Sequence, residues 1–290
     1  MADEVTSSIV SELYSNIVQS ALYTYSEQAV IRPVVRNYDM TGTPGLTAQV
    51  PKYPAITASN LTDGTDLTSN TAFNTTSVTM SAVERGARIT LTDLAKETAQ
   101  EDVAAAVGRQ LGEAMVNKVD GEISALFPSF SNRVGAAGDA VNAETIFKAV
   151  GQLRSQNARG QIFVVLHPFQ AMDLKIQLAG AGNTNMANPP QVGNQVLTNG
   201  VIASSLGGAI ILESNNVGKD TNDSVSGTGN FVGCAFTQDA IGYMVKRNIR
   251  VETQRDASLR ADEIVGSMAY ATAELFDEYG VGILGKASLT

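Results

Sequence analysis

The sequence predicts an α+β fold, and three observations carry that prediction. One long stretch, 98–126, reads as a single uninterrupted helix. A polar stretch before it, 41–92, has extended character and turn chemistry but no helical period. The C-terminal part alternates apolar and polar residues over two long runs, the period-2 signature of half-buried strands.

The first element in the chain is amphipathic. Ile9, Val10, Leu13, Ile17, Val18, Ala21, Leu22 and Tyr25 recur at helical spacing over 7–29. Arg32-Pro33 then pushes the chain into an extended path. Such a helix either packs on its own domain or lies as an arm on a neighbouring subunit, and its pattern fits both.

Residues 41–92 are rich in Thr, Ser and Asn and poor in large apolar groups. One extended leg runs over 47–56. Pro51 and Pro54 deny it ladder donors, which predicts an edge strand. A second leg runs over 73–92, with alternation at Val78, Met80 and Ala82 and again at Ile89 and Leu91. Asp63-Gly64 between them is a favoured hairpin pair. The whole reads as a long two-stranded ribbon. An isolated ribbon is marginal in water, so it must rest on the rest of the chain or on another subunit.

Thr98 and Glu101 have capping-box spacing at the start of the long helix. Glu101 and Asp102 suit the positive end of its dipole. At about 1.5 Å per residue it spans about 40 Å. Its larger apolar residues step by four: Val103, Val107, Leu111, Met115, Val119, Ile123. Such a stripe drifts around the helix and meets different neighbours along its length.

A loop is expected over 135–139. Asn142 then caps a helix with Ile146, Val150 and Leu153 on one face, ending at 157–160. Residues 161–166 are apolar on both faces, as a central strand would be. His167-Pro168 opens another helix, with proline at its favoured first position. Residues 180–200 form a Gly/Asn/Pro loop, 201–212 a strand, and 214–230 a second polar loop. Tyr243 to Glu252 reads as a strand with one mostly apolar face. In 264–276, Met268, Tyr270 and Thr272 share one face and Ala269, Ala271 and Ala273 the other. The alanine face is the expected seat of the long helix. Residues 281–284 give a last strand.

Composition bounds function. Of 290 residues, 17 % are charged, which is low, and interface cores are depleted in charge. The net charge of −9 argues against tight nucleic-acid binding, which needs a basic footprint. One cysteine, Cys234, leaves no intrachain disulfide. Asp3 and Glu4 stand where a secretory signal would be basic, so none is read. No apolar run is long enough to span a bilayer, so no membrane partner is expected.

A search for chemistry yields no catalytic residue, cofactor or metal site. His167 is the only histidine and reads as a helix cap or surface residue. Cys234 sits in an apolar run, where a small buried thiol is expected. Gly227-Thr228-Gly229 is followed by Gly233, one residue late for a dinucleotide fingerprint. Asp220, Asn222 and Ser224 lack the glycine and glutamate of a calcium loop. Arg85 and Arg88 flank Gly86 at the ribbon base, where they either bind an acidic neighbour or face water.

The order of parts carries a resemblance. An arm precedes a polar ribbon ending in Arg85-Gly86-Ala87-Arg88-Ile89-Thr90-Leu91-Thr92-Asp93. A long helix follows, then an α/β portion, then strands ending in Glu274-Leu275-Phe276-Asp277-Glu278-Tyr279-Gly280-Val281-Gly282-Ile283-Leu284. This layout resembles major capsid proteins of tailed bacteriophages, the Hong Kong 97-like fold. The resemblance implies an N-terminal arm (1–40), an extended loop (41–92), a peripheral domain with the spine helix (93–160), an axial domain (161–230) and return strands, mainly peripheral (231–290). It implies a shell of pentamers and hexamers enclosing double-stranded DNA without specific binding. It also implies a separate scaffolding protein, a portal and decoration proteins as partners. Phe73, Arg85 and Arg88 are the candidate subunit-contact residues. Lys52 lies in the ribbon, but nothing identifies a cross-linking partner. The nearest alternative is an encapsulin-type shell of the same fold. A small-molecule enzyme and an exported adhesin are alternatives of other classes; the first lacks a catalytic constellation and the second an export signal.

Overall fold

A computed structural model describes residues 17–25, 27–53, 56, 58, 60, 63–64, 75–94, 103–179, 206–219 and 229–287. The strands are β1 (Arg36–Asp39), β2 (Thr47–Lys52), β3 (Thr76–Ser81), β4 (Val83–Thr92), β5 (Arg133–Ala140), β6 (Ile162–Leu166), β7 (Ala209–Glu213), β8 (Asn230–Thr237), β9 (Ile241–Asp256), β10 (Ala261–Glu274) and β11 (Gly280–Lys286). The helices are α1 (17–25), α2 (Val103–Ser124), α3 (Ala143–Ser155) and α4 (Pro168–Ala179). The strands form a four-stranded sheet, β1-β9-β10-β4, a five-stranded sheet, β5-β11-β8-β6-β7, and the two-stranded pair β2-β3.

The spine helix α2 is the common wall of both larger sheets. Val107, Leu111, Met115, Val119 and Ile123 are buried, as their spacing predicts. They share one core cluster with Ile264, Met268 and Tyr270 of β10 and with Val165, Cys234 and Phe236 of the five-stranded sheet. The drift of a four-residue step lets one helix serve both. The proposed capping box at Thr98 and Glu101 lies outside the described residues.

The face of β10 that receives the helix is not the alanine face. Ile264, Met268 and Tyr270 pack with α2, and Gly266 between them lets Leu111 approach closely. Ala271 points the other way, into a small core with Met80, Ala82, Met244 and Leu275. Large side chains fill the space under a helix; the small face of the strand instead accepts the flatter base of the ribbon.

The ribbon is likewise shorter than its sequence pattern. β2 and β3 pair antiparallel, from Thr47↔Ser81 to Lys52↔Thr76. Ala82 N still bonds Leu46 O across the ribbon at 2.8 Å; the chain then enters β4, which lies antiparallel to β10 from Tyr270↔Val83 to Ala261↔Thr92. So 83–92 belongs to the subunit's own sheet. Asp63-Gly64 forms a turn, with Gly64 at φ +77°.

The five-stranded sheet separates the spine from α3 and α4. Ile162, Val164 and Leu166 of β6 face the two helices, while Phe163 and Val165 face the spine core. Asn142 caps α3: its Oδ1 accepts from Thr145 N at 2.8 Å. At 135–139 the expected loop lies within strand β5: Gly135 pairs parallel with Leu284 and Ala140 with Lys286, and 136–139 fall in the register shift between them. Gly135 permits this, with φ +85° and a position where a Cβ would overlap the Leu284 carbonyl oxygen. Alternation could not reveal β5, because among its residues only Val134 is buried. β8 and β11, from the segment expected to return mainly to the peripheral domain, pair with each other in this sheet, and β8 also pairs with β6.

α1 lies along α2. A Cβ on Gly108 would sit 2.6 Å from Ile17 O, and one on Gly112 would sit 2.7 Å from Ala21 O. These two glycines cut a notch that brings the helix backbones together. The described part of the arm therefore packs on its own subunit, the first of the two arrangements its sequence allowed.

Candidate assembly surfaces

Strand β4 carries two arginines to opposite faces of the four-stranded sheet. Arg85 points inward and donates from Nε to Glu122 Oε1 of the spine at 2.8 Å. Lys118 Nζ lies 3.3 Å from the same oxygen. Burial pushes the Glu122 carboxyl up, but the Arg85 and Lys118 contacts outweigh it and hold the group below its ordinary range. Arg88 points outward and pairs with Glu263 at 3.3 Å, its side chain 64 % exposed. Both arginines thus have an acidic partner within the chain. Phe73 lies outside the described residues.

The outer face of this sheet is a lattice of paired charges. Glu84 pairs with Arg247, Arg88 with Glu263, and Arg250 with Glu252. Near the β9–β10 turn Arg255 grips Asp93 with two bonds of 2.6 Å and reaches Asp262 at 3.4 Å. Exposed pairs of this kind are screened by water and salt and add little to the stability of the subunit.

Two apolar features break the polar surface. On the ribbon, Leu46, Tyr53 and Ile56 are exposed although they are large. On α4, Phe169, Met172 and Ile176 are exposed at i, i+3 and i+7, one stripe of the helix. Sequence reading missed this second stripe. Its spacing was visible, but α4 shows apolar residues on several faces, and which face a sheet covers is not a local property.

His167 and Cys234 do not form a reactive pair. His167 Nδ1 accepts from Phe169 N at 3.3 Å, and its ring stacks on Phe231 at 3.8 Å. It is a cap, as expected, but a buried one. Cys234 is fully enclosed, and burial pushes its thiol far up. Among the described residues no group of three or more His, Cys, Asp or Glu side chains could hold a metal ion. A cleft between β5 and the start of α3, lined by Asp139, Asn142, Glu144 and Lys148, gathers polar groups without a buried charge. No described helix is long and apolar enough to cross a membrane.

The sequence pattern of the family described as "Phage capsid protein" matches residues 75–282. The chain belongs to the phage capsid protein family. Solved capsid chains show the same fold as this phage capsid protein. A chain of Mycobacterium phage Che8 is 21 % identical, with 88 % of this chain and 91 % of that chain covered and a TM-score of 0.69. A chain from the acidic stable capsid of Helicobacter pylori bacteriophage KHP30 is 13 % identical, covering 88 % of each chain, with a TM-score of 0.67. A chain from the capsid of a native GTA particle is 11 % identical, covering 88 % of this chain and 89 % of that one, with a TM-score of 0.66. No curated protein sequence matches this capsid protein. Its architecture, a spine helix under a sheet with a projecting ribbon, is the Hong Kong 97-like fold.

Proposed function

We propose that this phage capsid protein is the major capsid protein of a tailed phage. Copies assemble as pentamers and hexamers into an icosahedral head around double-stranded DNA, inside the host bacterial cytoplasm. The observation that carries the reading is the ribbon: in a capsid-family chain, a two-stranded excursion exposes Leu46, Tyr53 and Ile56 beyond its own core. Large apolar side chains left exposed on such an excursion are available for an assembly contact to cover. Arg88 and Phe73 remain candidate contact residues, and Arg85 supports the ribbon base from within.

In this reading the arm (1–40), extended loop (41–92), peripheral portion with the spine helix (93–160), axial portion (161–230) and return strands (231–290) are working divisions. A separate scaffolding protein, a portal and decoration proteins are the expected partners. The role is structural, with no turnover. An encapsulin-type shell is not favoured, because the family match is to phage capsid proteins and the similar chains named above come from phages and from the capsid of a GTA particle.

Negative-stain microscopy of the purified protein tests the proposal, with closed shells or rings expected. Size-exclusion chromatography that shows only monomer at every salt and protein concentration would refute it.

A further inference from the structure

We propose that a polar seam through the core couples the seat of the N-terminal helix to the base of the ribbon. The seam begins at β4, where Arg85 Nε donates to Glu122 Oε1 of the spine at 2.8 Å. It continues at Tyr270 of β10. The ladder sets Met268 opposite Arg85, so Tyr270 is the diagonal neighbour of Arg85 on the same face of the sheet, within reach of the Arg85–Glu122 pair; among the described residues its buried hydroxyl has no hydrogen-bond partner of good geometry. The Tyr270 ring packs on the ring of Tyr243 in β9 at 5.6 Å. The Tyr243 hydroxyl lies 3.0 Å from the Tyr25 hydroxyl at the end of α1. Arg32 closes the far end, with its guanidinium 4.5 Å from the Tyr25 ring and 5.6 Å from the Tyr243 ring.

Asp120 anchors that far end to the spine. It is buried, and its carboxylate accepts from three consecutive amides, Val30 and Ile31 on Oδ2 and Arg32 on Oδ1, at 3.0, 3.2 and 3.1 Å. The turn after α1 is therefore fixed, while α1 itself sits in the Gly108/Gly112 notch. A shift of Glu122 changes what the Tyr270 hydroxyl faces. Tyr270 and Tyr243 are close-packed in the core, so that shift passes to the Tyr25 contact rather than into free space. Residues that share such a network are coupled, and a mutational cycle measures the coupling.

The seam makes a specific claim: Arg85 controls α1 without touching it. Hydrogen–deuterium exchange on the full chain, read by peptide, tests it. Arg85→Met and the isosteric Glu122→Gln should each raise exchange of the 17–25 amides by at least about threefold, near the low end for coupled residues. Tyr243→Phe should do the same from the other side. The double variant Arg85→Met/Tyr243→Phe should exceed the larger single effect only slightly. Exchange in β6 and β8 should not change, which shows that the fold persists. Arg88→Met, on the opposite face of the same strand, should leave 17–25 alone. The proposal fails if Arg85→Met and Glu122→Gln leave 17–25 at the wild-type rate. It also fails if Arg88→Met loosens α1 equally, or if the Arg85 and Tyr243 effects simply multiply.

Discussion

Gly266 of β10 lies directly beneath Leu111 of the spine helix, and a Cβ at position 266 would overlap Leu111 Cδ2. The central strand of the four-stranded sheet and the long helix meet there with no side chain on the strand between them. Gly266→Ala should destabilise the subunit by about 1–3 kcal/mol through overpacking. Leu111→Ala should cost about 2–5 kcal/mol through the cavity it leaves. In the double variant the new methyl enters that cavity, so its loss should be clearly less than the sum of the two single losses. Urea unfolding of the four proteins measures this; strict additivity would mean that the two residues do not share the contact.

Gln170 is fully buried at the start of α4 and makes three bonds. Its Oε1 accepts from His167 N at 3.3 Å, and its Nε2 donates to Phe231 O at 3.0 Å and Gly285 O at 2.9 Å. Gln170→Leu keeps much of the volume but strands those groups. A loss of about 1–3 kcal/mol is expected, the cost of leaving buried polar groups unsatisfied. Thermal melting reads it, and an unchanged midpoint would show that water replaces the side chain.

Glu122 sets one part of the acid sensitivity. Its carboxyl is held below its ordinary value, so in the folded state it binds its proton less readily than when unfolded. Its contribution is fully present above the unfolded value, about 4.3, and fades as pH falls through the lower folded value. Glu122→Gln removes the titration. Between about pH 5 and pH 3 the stability gap between wild type and this variant should narrow. Acid titration followed by circular dichroism tests the sign, and a gap that widens on acidification would contradict it.

The ribbon should divide into a tip and a base. Met80 and Ala82 at the base pack with Met244, Ala271 and Leu275. Met80→Ala should therefore destabilise the fold by about 2–5 kcal/mol. Replacing 59–71 with a short Gly-Ser link should leave the melting temperature nearly unchanged but impair shells seen by electron microscopy. Outright unfolding of the deletion variant would place the tip in the subunit core. Normal, equally stable shells would remove the ribbon from the assembly contact.

The acidic balance predicts weak binding of duplex DNA at physiological salt. Tight phosphate contact needs a basic footprint, which a chain of net charge −9 does not supply overall. Filter binding should show no sub-micromolar affinity.

Local chemistry was legible in the sequence wherever it acts over a few residues. The stripe of α2 follows from side-chain spacing, the start of α3 from Asn142, the start of α4 from Pro168, and β6 from a short run apolar on both faces. Low charge and the lack of a catalytic motif pointed toward self-assembly. Pairing across the chain was not legible. β4 has the alternation of a ribbon leg, but ten backbone partners on β10 claim it for the subunit sheet. The alanine face of β10 invited a helix by size alone, yet the helix took the opposite face, where Gly266 and the larger side chains together match its surface. Arg85 and Arg88 stand three apart on one strand, so the pleat sends them to opposite faces; only the packed structure decided which one meets Glu122 and which one meets solvent. A strand's period says that two faces differ, and what covers each face is settled by residues distant in the sequence, 37 positions away for Arg85 and Glu122.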